Sequence, residues 1–359
     1  MAGNANLVAA KAAKNDEFYT QWNDIENEMQ AYLEYNPDVF RGKTILLPCD
    51  DPDWSNFTKY FTERFEQLGL KKLISTSYAA DGGNGKVFVI EGENEPRREY
   101  LAGDGDFRSD EVIALRDEVD MVITNPPFSL FREFMAWLVE GGVEFSVIGN
   151  MNAIAYKEIF PLIKGNEMWL GASRMGAKYF ALPSNAPAKA NQHEENGVRF
   201  QKFGNIAWFT NIEHGRRHGF LELMTMEDNI RYCRRKVVRE RGYSKYDNYD
   251  AIEVPFTEAI PSDCDGVMGV PISFLDKYSP EQFEILGISE ASGKGGSGDL
   301  WDRTSGVKHP LIAGDRTYTR IFIRHRNPER KESRPLGRSR SGQSSPRCKR
   351  GFSHVEVRG

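Results

Sequence analysis

Val119–Gly142, VDMVITNPPFSLFREFMAWLVEGG, decides the fold. VDMVIT is an apolar run with the length of a buried strand, and it ends at two prolines that cannot donate to a ladder. SLFREFMAWLVE then repeats apolar residues at helical spacing, and Gly141 and Gly142 supply its stop. Strand, rigid turn and amphipathic helix form the repeating unit of an α/β sheet, and the same rhythm extends on both sides. Upstream, a helix is predicted around Asn23–Tyr35 and a buried strand over Thr44–Leu47, running into PCDD. SNFTKYFTERFEQLG follows as a helix whose Phe57, Tyr60, Phe61, Phe65 and Leu68 recur at helical spacing, with Gly69 as its stop. KKLISTSY reads as a second strand, followed by a hairpin through VFVIEGE and a short helix ending at Asp117. Downstream, EFSVIGN is a strand, AIAYKEIFPLIKG a helix, and EMWLG and NIAWFTNI two further strands. The expected architecture is a doubly wound, mostly parallel, Rossmann-like sheet with helices on both faces. Ligands in such sheets bind beyond the C-terminal ends of the strands. PCDD, GDGDF (Gly103–Phe107) and NPPF all fall at such ends.

A chain of 359 residues, 40% hydrophobic and 28% charged, has the composition of a globular protein and the length for one large α/β domain plus an appendage. No run approaches a membrane span, and MAGNANLVAAKAAKNDEF lacks the basic start and apolar stretch of a secretory signal. The expected compartment is cytoplasmic, with no membrane partner. Cys49, Cys233, Cys264 and Cys348 include no C-x-x-C, which argues against a disulfide framework or structural zinc. His214 and His218 are four apart, but ligation there needs an acidic third ligand and a drier setting, so no metal is expected. The formal charge of −5 is unevenly spread, with ten basic against three acidic residues from Arg326 onward. That Ser-, Arg-, Gly- and Pro-rich segment has little to bury and is expected to be a basic disordered tail over 326–359. A second basic cluster, RYCRRKVVRERGYSK (Arg231–Lys245), alternates arginines with Ile230, Cys233, Val237 and Val238, the pattern of a helix with one buried and one charged face.

NPPF carries the most chemistry. A carbonyl held by a double-proline turn cannot swing away, and the Asn125 side-chain oxygen sits beside it. Together they offer two acceptors aimed at one point, which suits the exocyclic NH₂ of a flat base. Accepting both amino protons discourages delocalisation of the nitrogen lone pair into the ring and frees it as a nucleophile. Phe128 supplies a face on which that base can stack.

At these motifs the chain resembles the S-adenosylmethionine-dependent amino-methyltransferases and, more narrowly, the EcoRI-type adenine-specific DNA methyltransferases. The resemblance rests on DEFYTQ (Asp16–Gln21), LLPCDDPDWSNF (Leu46–Phe57), NPPFSLFREF (Asn125–Phe134) and the run Tyr246–Gly287, and covers Asp16 to about Arg326. It implies a Rossmann-like methyltransferase sheet with a C-terminal target-recognition region. The catalytic residues it implies are Asn125, Pro126, Pro127 and Phe128, and the cofactor is S-adenosylmethionine. Phe18, Tyr19 and Thr20 would fold over the methionine end, with the Thr20 hydroxyl on its carboxylate. The first strand ends at Pro48, Asp50 and Asp51 instead of the glycine-rich D-x-G-x-G of many methyltransferases, so either Asp50 or Asp51 would meet the ammonium or sulfonium by charge. Asp106 would accept from the cofactor's adenine amino group, and Phe107 would pack on its face. Asp104, Asp106 and Asp110 also hint at a calcium loop, but Arg108 takes a ligand position and the required glycine is absent. LISTSY has no terminal acid for the ribose. Tyr179, Phe180 and Phe200, flanking a polar insertion, are candidates for the other side of a base sandwich. The implied organisation is a catalytic domain over 1–215, a target-recognition region over 216–325, and the tail. The proposed DNA contacts are Arg216, Arg217, Arg231, Arg234, Arg235 and Lys236. The implied activity is methyl transfer to N6 of an adenine flipped out of double-stranded DNA, in a restriction-modification or an orphan or phage system. A cognate restriction endonuclease would be a partner in the first case. The alternatives are cytosine N4, RNA or protein glutamine as acceptor, or a non-catalytic DNA-binding relic.

Overall fold

Thr44–Leu47 forms β1, and its side chains serve two cores in strict alternation: Ile45 and Leu47 on one face of the sheet, Leu46 on the other. The computed structural model that shows this describes residues 20–173, 176–182, 192–289 and 296–329. β2 (Lys72–Thr76), β5 (Met121–Thr124) and β6 (Glu144–Asn150) lie with β1 in the order β2-β1-β5-β6, all parallel. The chain leaves β1 for β2 on one side and returns to β5 on the other. The topological switch point therefore lies between β1 and β5, where PCDD and NPPF begin. The doubly wound topology expected from the sequence is present in these four strands.

Antiparallel strands extend the sheet on both sides. β3 (Lys86–Glu91) pairs with β2 and β4 (Arg97–Tyr100) with β3, because the connections between them hold no crossover helix and a parallel pairing needs one. On the other side β10 (Val198–Thr210) pairs antiparallel with β6 and β7 (Trp169–Leu170). Its first half carries β8 (Gly176–Ala181) and β9 (Gln192–Glu195) as a projecting flap.

Helices cover both faces. α1 (Trp22–Tyr35), α2 (Asn56–Glu63) and α3 (Phe65–Leu68) bury Ile25, Met29, Tyr32, Phe57, Tyr60 and Phe61 on the Ile45 face. α4 (Asp110–Asp117) and α5 (Phe131–Gly141) cover the other. α5 has no side-chain N-cap, which forgoes about 1 kcal/mol. Its buried Phe131, Phe134, Met135, Trp137 and Leu138, each worth about 1.5–3 kcal/mol, outweigh that several times over. The helix expected through AIAYKEIFPLIKG shortens to α6 (Phe160–Lys164), because Pro161 is tolerated in the first turn of a helix and not in its interior.

A second, four-stranded sheet follows: β11 (Ile252–Glu253), β12 (Met268–Pro271), β14 (Arg320–His325) and β13 (Phe283–Ile288), in that order. Its inner residues, among them Val270, Phe283, Ile285 and Ile323, continue the core of the α5 face without a break. Chain pairing does not stop at Arg326, since the Glu329 N–H donates to the Ser262 carbonyl at 2.9 Å. The rest of the expected tail lies outside the described residues. Among the described residues no helix is long and apolar enough to cross a membrane.

One close approach fixes the GDGDF loop against β2. Gly105 has φ +81°, and a Cβ there would sit 2.2 Å from the Ser77 carbonyl oxygen. Gly105→Ala should therefore cost about 1–3 kcal/mol, read as a lowered melting temperature. An unchanged melting curve would mean that the loop does not lie on β2.

Candidate active site

The ends of β1 and β5 are joined through a buried carboxylate. Asp50, 5% exposed, accepts a hydrogen bond from the Ser55 hydroxyl on Oδ1 (2.6 Å) and from the Thr124 hydroxyl on Oδ2 (2.6 Å). Ser55 is also the N-cap of α2, its Oγ accepting from the Phe57 N–H at 3.0 Å. Asp50's backbone reaches β2 as well, its N–H donating to the Thr76 carbonyl (3.0 Å) and its carbonyl accepting from Ser75 Oγ (2.6 Å). Pro48 is buried, and its carbonyl accepts from Thr76 Oγ1 at 3.2 Å. Thr124 directly precedes Asn125, so the Asp50 carboxylate sets where NPPF starts.

Asp51 has a different environment. Its carboxylate faces Lys86 of β3 at 3.1 Å, and Lys86 also meets Asp53 at 2.7 Å, which in turn holds Arg98 at 2.8 Å. The hydrogen bond to Asp53 leads in raising the Lys86 ammonium, against the opposing effect of burial, and the contacts with Asp51 add to it. The two aspartates that the sequence leaves undistinguished thus divide. Asp50 anchors strands, and Asp51 carries a charge at the rim that a cation already neutralises.

Asn125, Pro127 and Phe128 are half-buried and Pro126 is buried. Pro127 enters a 3-10 turn (Phe128–Leu130), its carbonyl accepting from the Leu130 N–H at 3.0 Å. The Phe128 ring meets Phe180 of β8 (centroids 6.4 Å, 87°) and Phe203 of β10 (6.0 Å, 89°), both edge to face. Phe180 and Phe203 meet each other at 5.6 Å. Of the aromatic candidates on the flap, Phe180 therefore reaches NPPF. Tyr179 is exposed and edge-on to His193, and Phe200 stacks on His193. Phe203 escaped the sequence reading, because the β8–β10 register that brings it to Phe128 has no local signal.

Thr20 is 3% exposed, and its Oγ1 is a buried polar atom with no hydrogen-bond partner among the described residues. Its carbonyl accepts from Asn56 Nδ2 at the start of α2 (2.8 Å), which brings Thr20 beside the end of β1. A buried hydroxyl left unsatisfied there fits a residue that meets a polar ligand. Phe18 and Tyr19 lie outside the described residues.

In the GDGDF loop, both Asp106 oxygens are gripped by Arg108, through Nε at 2.9 Å and a terminal nitrogen at 2.6 Å, and Arg108 also reaches Glu133 of α5 at 2.8 Å. Burial pushes the Asp106 carboxyl up, but its hydrogen bonds with Arg108 outweigh that and hold it below the usual carboxylate range. Phe107 is 4% exposed and packs edge-on against Phe134 (5.0 Å) and Trp137 (5.8 Å), so it supports the loop from beneath. At the end of β2, where the sequence offers no acid, the half-buried Tyr78 has its phenol raised by burial and then by the nearby Asp104 and Asp106.

The basic candidates separate into two groups. Arg216 donates to the Ala172 carbonyl at 2.6 Å and pairs with Asp276. Arg217, 4% exposed, lies 3.7 Å over the Trp169 ring, bonds to Asn166 and pairs with Glu213 at 3.2 Å. Both are engaged within the protein, fastening β7 to the C-terminal region. Arg231, Arg234, Arg235 and Lys236 are exposed. The single helix expected there is broken into α7 (Met226–Tyr232) and α8 (Lys236–Arg241). In one helix Cys233 and Val238, five apart, would point about 140° from each other; the break lets both bury, at 1% and 0% exposure. Ile230, expected on the same buried face, is 40% exposed. His214 and His218 do not converge on a common point: the first bonds to the Leu170 carbonyl, the second to Glu213 and Glu281.

The fold and site together define an amino-methyltransferase arrangement, with an NPPF turn and an aspartate turn on either side of a topological switch point. The comparisons with known proteins narrow it. Residues 6–326 match the family model described as "Adenine-specific methyltransferase EcoRI". The chain is 42% identical over 304 residues to the type II methyltransferase M.EcoRI of Escherichia coli, covering 79% of this chain and 89% of that protein. It is 38% identical over 281 residues to M.MpnI of Mycoplasma pneumoniae, covering 77% and 83%. A type II methyltransferase of Mycoplasma genitalium, M.MgeORF184P, is also 38% identical over 281 residues, covering 77% and 84%. No solved structure matches the chain significantly. The chain belongs to the EcoRI adenine-specific methyltransferase family and is an adenine-specific DNA methyltransferase.

The depressed Asp106 carboxyl gives a pH prediction. Its pairing stabilises the fold at and above the unfolded carboxylate pKa of about 3.9 and is lost as pH falls below that toward the lower folded value. Asp106→Asn should therefore be less stable than the parent at pH 7, and the difference should shrink progressively as unfolding is followed below about pH 4. A difference that persists unchanged in acid would show that the charge is not what matters.

Proposed function

We propose that Asn125, the Pro126 carbonyl and Phe128 hold the amino group and ring of an adenine flipped out of double-stranded DNA, and that the turn after β1 and the GDGDF loop hold S-adenosylmethionine. The observation that carries this reading is the Asp50 bridge, which places the NPPF turn beside the aspartate turn at the switch point between β1 and β5. S-adenosylmethionine supplies, when bound, an intrinsically activated methyl group.

The chain's own residues position the acceptor. Asn125 Oδ1 and the Pro126 carbonyl accept the two amino protons, which keeps the nitrogen lone pair out of the ring. Pro127 fixes the turn, and Phe128, braced edge-on by Phe180 and Phe203, stacks on the base. Thr20 would offer its hydroxyl to the cofactor carboxylate. Asp51 meets the ammonium by exchanging it for Lys86, a role left to Asp51 because the Asp50 carboxylate serves Ser55 and Thr124. Asp106, oriented by Arg108, takes the adenine amino group of the cofactor. The target-recognition region spans 216–325, with Arg231, Arg234, Arg235 and Lys236 on phosphates, and the basic tail follows it. We place the protein in the cytoplasm with its DNA, in a restriction-modification setting whose nuclease recognises the same site.

Labelled methyl transfer from S-adenosylmethionine to unmethylated duplex DNA, with nucleoside analysis, tests this reading. N6-methyladenine is the expected product; N4-methylcytosine, or label in RNA or protein, would overturn it. Asn125→Ala should lower turnover by about 10²–10³-fold or more while cofactor and DNA still bind. Near-normal turnover in that variant would remove Asn125 from the mechanism.

A further inference from the structure

We propose that Arg132 contacts a DNA backbone phosphate beside the target nucleotide and is held ready for it by the ring of Tyr156. The inference deepens the function proposed above and rests on it. Two adjacent strand ends bring the pair together. Arg132 stands in the first turn of α5, directly after NPPF and its 3-10 turn at the end of β5. Tyr156 closes the 3-10 segment Met151–Ala155 that follows β6. β5 and β6 are parallel neighbours, with Thr124 opposite Val147, so both segments emerge at the same edge of the sheet.

There the guanidinium carbon of Arg132 lies 4.0 Å from the centroid of the Tyr156 ring. The platform is firm. Tyr156 is half-buried, its N–H donates to the Ala153 carbonyl (2.9 Å), and its own carbonyl accepts from the Ile159 and Phe160 N–H groups at 3.1 and 2.9 Å. A guanidinium resting on a ring loses rotamer freedom in advance and keeps its N–H fork for oxygen acceptors, the geometry that suits phosphate.

Other cations on this rim are committed to carboxylates: Arg108 to Asp106 and Glu133, and Lys157 to Glu158. Arg132 is exposed, and its contact is with a ring instead of an acid. Swinging a base into the Asn125 turn brings that nucleotide's own phosphates to the mouth of the site, within a helical turn of Phe128. Arg132, four residues after Phe128 and exposed, stands at that end of the sheet.

The test uses the full chain with S-adenosylhomocysteine and a duplex built on the site that sequencing of the methylated product defines. Affinity is measured against salt for the parent, Arg132→Gln and Arg132→Lys, after melting curves and S-adenosylhomocysteine binding confirm that each variant is folded. Arg132→Gln should weaken DNA binding by about tenfold and reduce the log–log salt slope by about 0.9. Arg132→Lys should keep the slope. Replacing the phosphates around the target adenine one at a time by neutral methylphosphonates should then expose one linkage that costs the parent affinity and leaves Arg132→Gln indifferent. An unchanged slope in Arg132→Gln, or an equal methylphosphonate penalty in parent and variant at every linkage, would overturn the assignment. A parent enzyme that neither binds nor methylates DNA would overturn the function on which it rests.

Discussion

The buried carboxylate of Asp50 is the constraint on which the site depends. A carboxyl group at 5% exposure needs hydrogen bonds to replace the water it has lost. Here two hydroxyls do so, and each belongs to a different element: Ser55 opens α2 and Thr124 ends β5. With the backbone of Asp50 tied to Ser75 and Thr76, three strand ends and one helix start converge on a single residue. This gives the turn after β1 a rigidity that a glycine-rich turn obtains by close backbone packing. The two successive aspartates thus divide: the Asp50 side chain bonds internally, and Asp51 stays at the rim with Lys86.

A second set of contacts connects the two sides of the site through α1. Asp24 pairs with Lys178 of β8 at 2.6 Å, while the buried Glu28 accepts from the Ala172 and Ser173 N–H groups at 2.8 and 2.7 Å. The helix that follows Thr20 therefore also holds the root of the flap that presents Phe180 to Phe128. Thr20, proposed for the cofactor, and the flap proposed for the base are thus both tied to α1. On the proposed mechanism, which forms no covalent enzyme intermediate, positioning of both reactants is the main contribution, and that arrangement supports it.

What was legible in the sequence was local. The apolar runs Thr44–Leu47 and Glu144–Asn150 appear as strands with the expected limits, and NPPF announces its turn because proline chemistry does not depend on distant partners. What was not legible depended on residues far along the chain. Phe107 looks like an exposed stacking face until α5 brings Phe134 and Trp137 against it. Arg216 and Arg217 look like a basic patch until Asp276 and Trp169 take them up. Phe203 is an ordinary strand residue until the register of β10 sets it on Phe128. Side-chain pattern fixes the face a residue occupies within its own element; its partner is set by topology.

The same distinction governs how an acidic protein of net charge −5 can serve a polyanionic substrate. Counting arginines overstates the field that DNA meets, because an arginine paired with a carboxylate adds little net potential, and one buried on a tryptophan adds none at the surface. Arg217 is lost to the interior, and Arg231 and Arg235 are each opposed by a glutamate, Glu227 and Glu258. Such exposed pairs are weak, and a phosphate can displace the glutamate at small cost. On the proposed reading, arginines paired in this way remain available to a DNA backbone. On the reading proposed above, Arg132 differs from these pairs in resting on the ring of Tyr156, where no competing charge must first be moved.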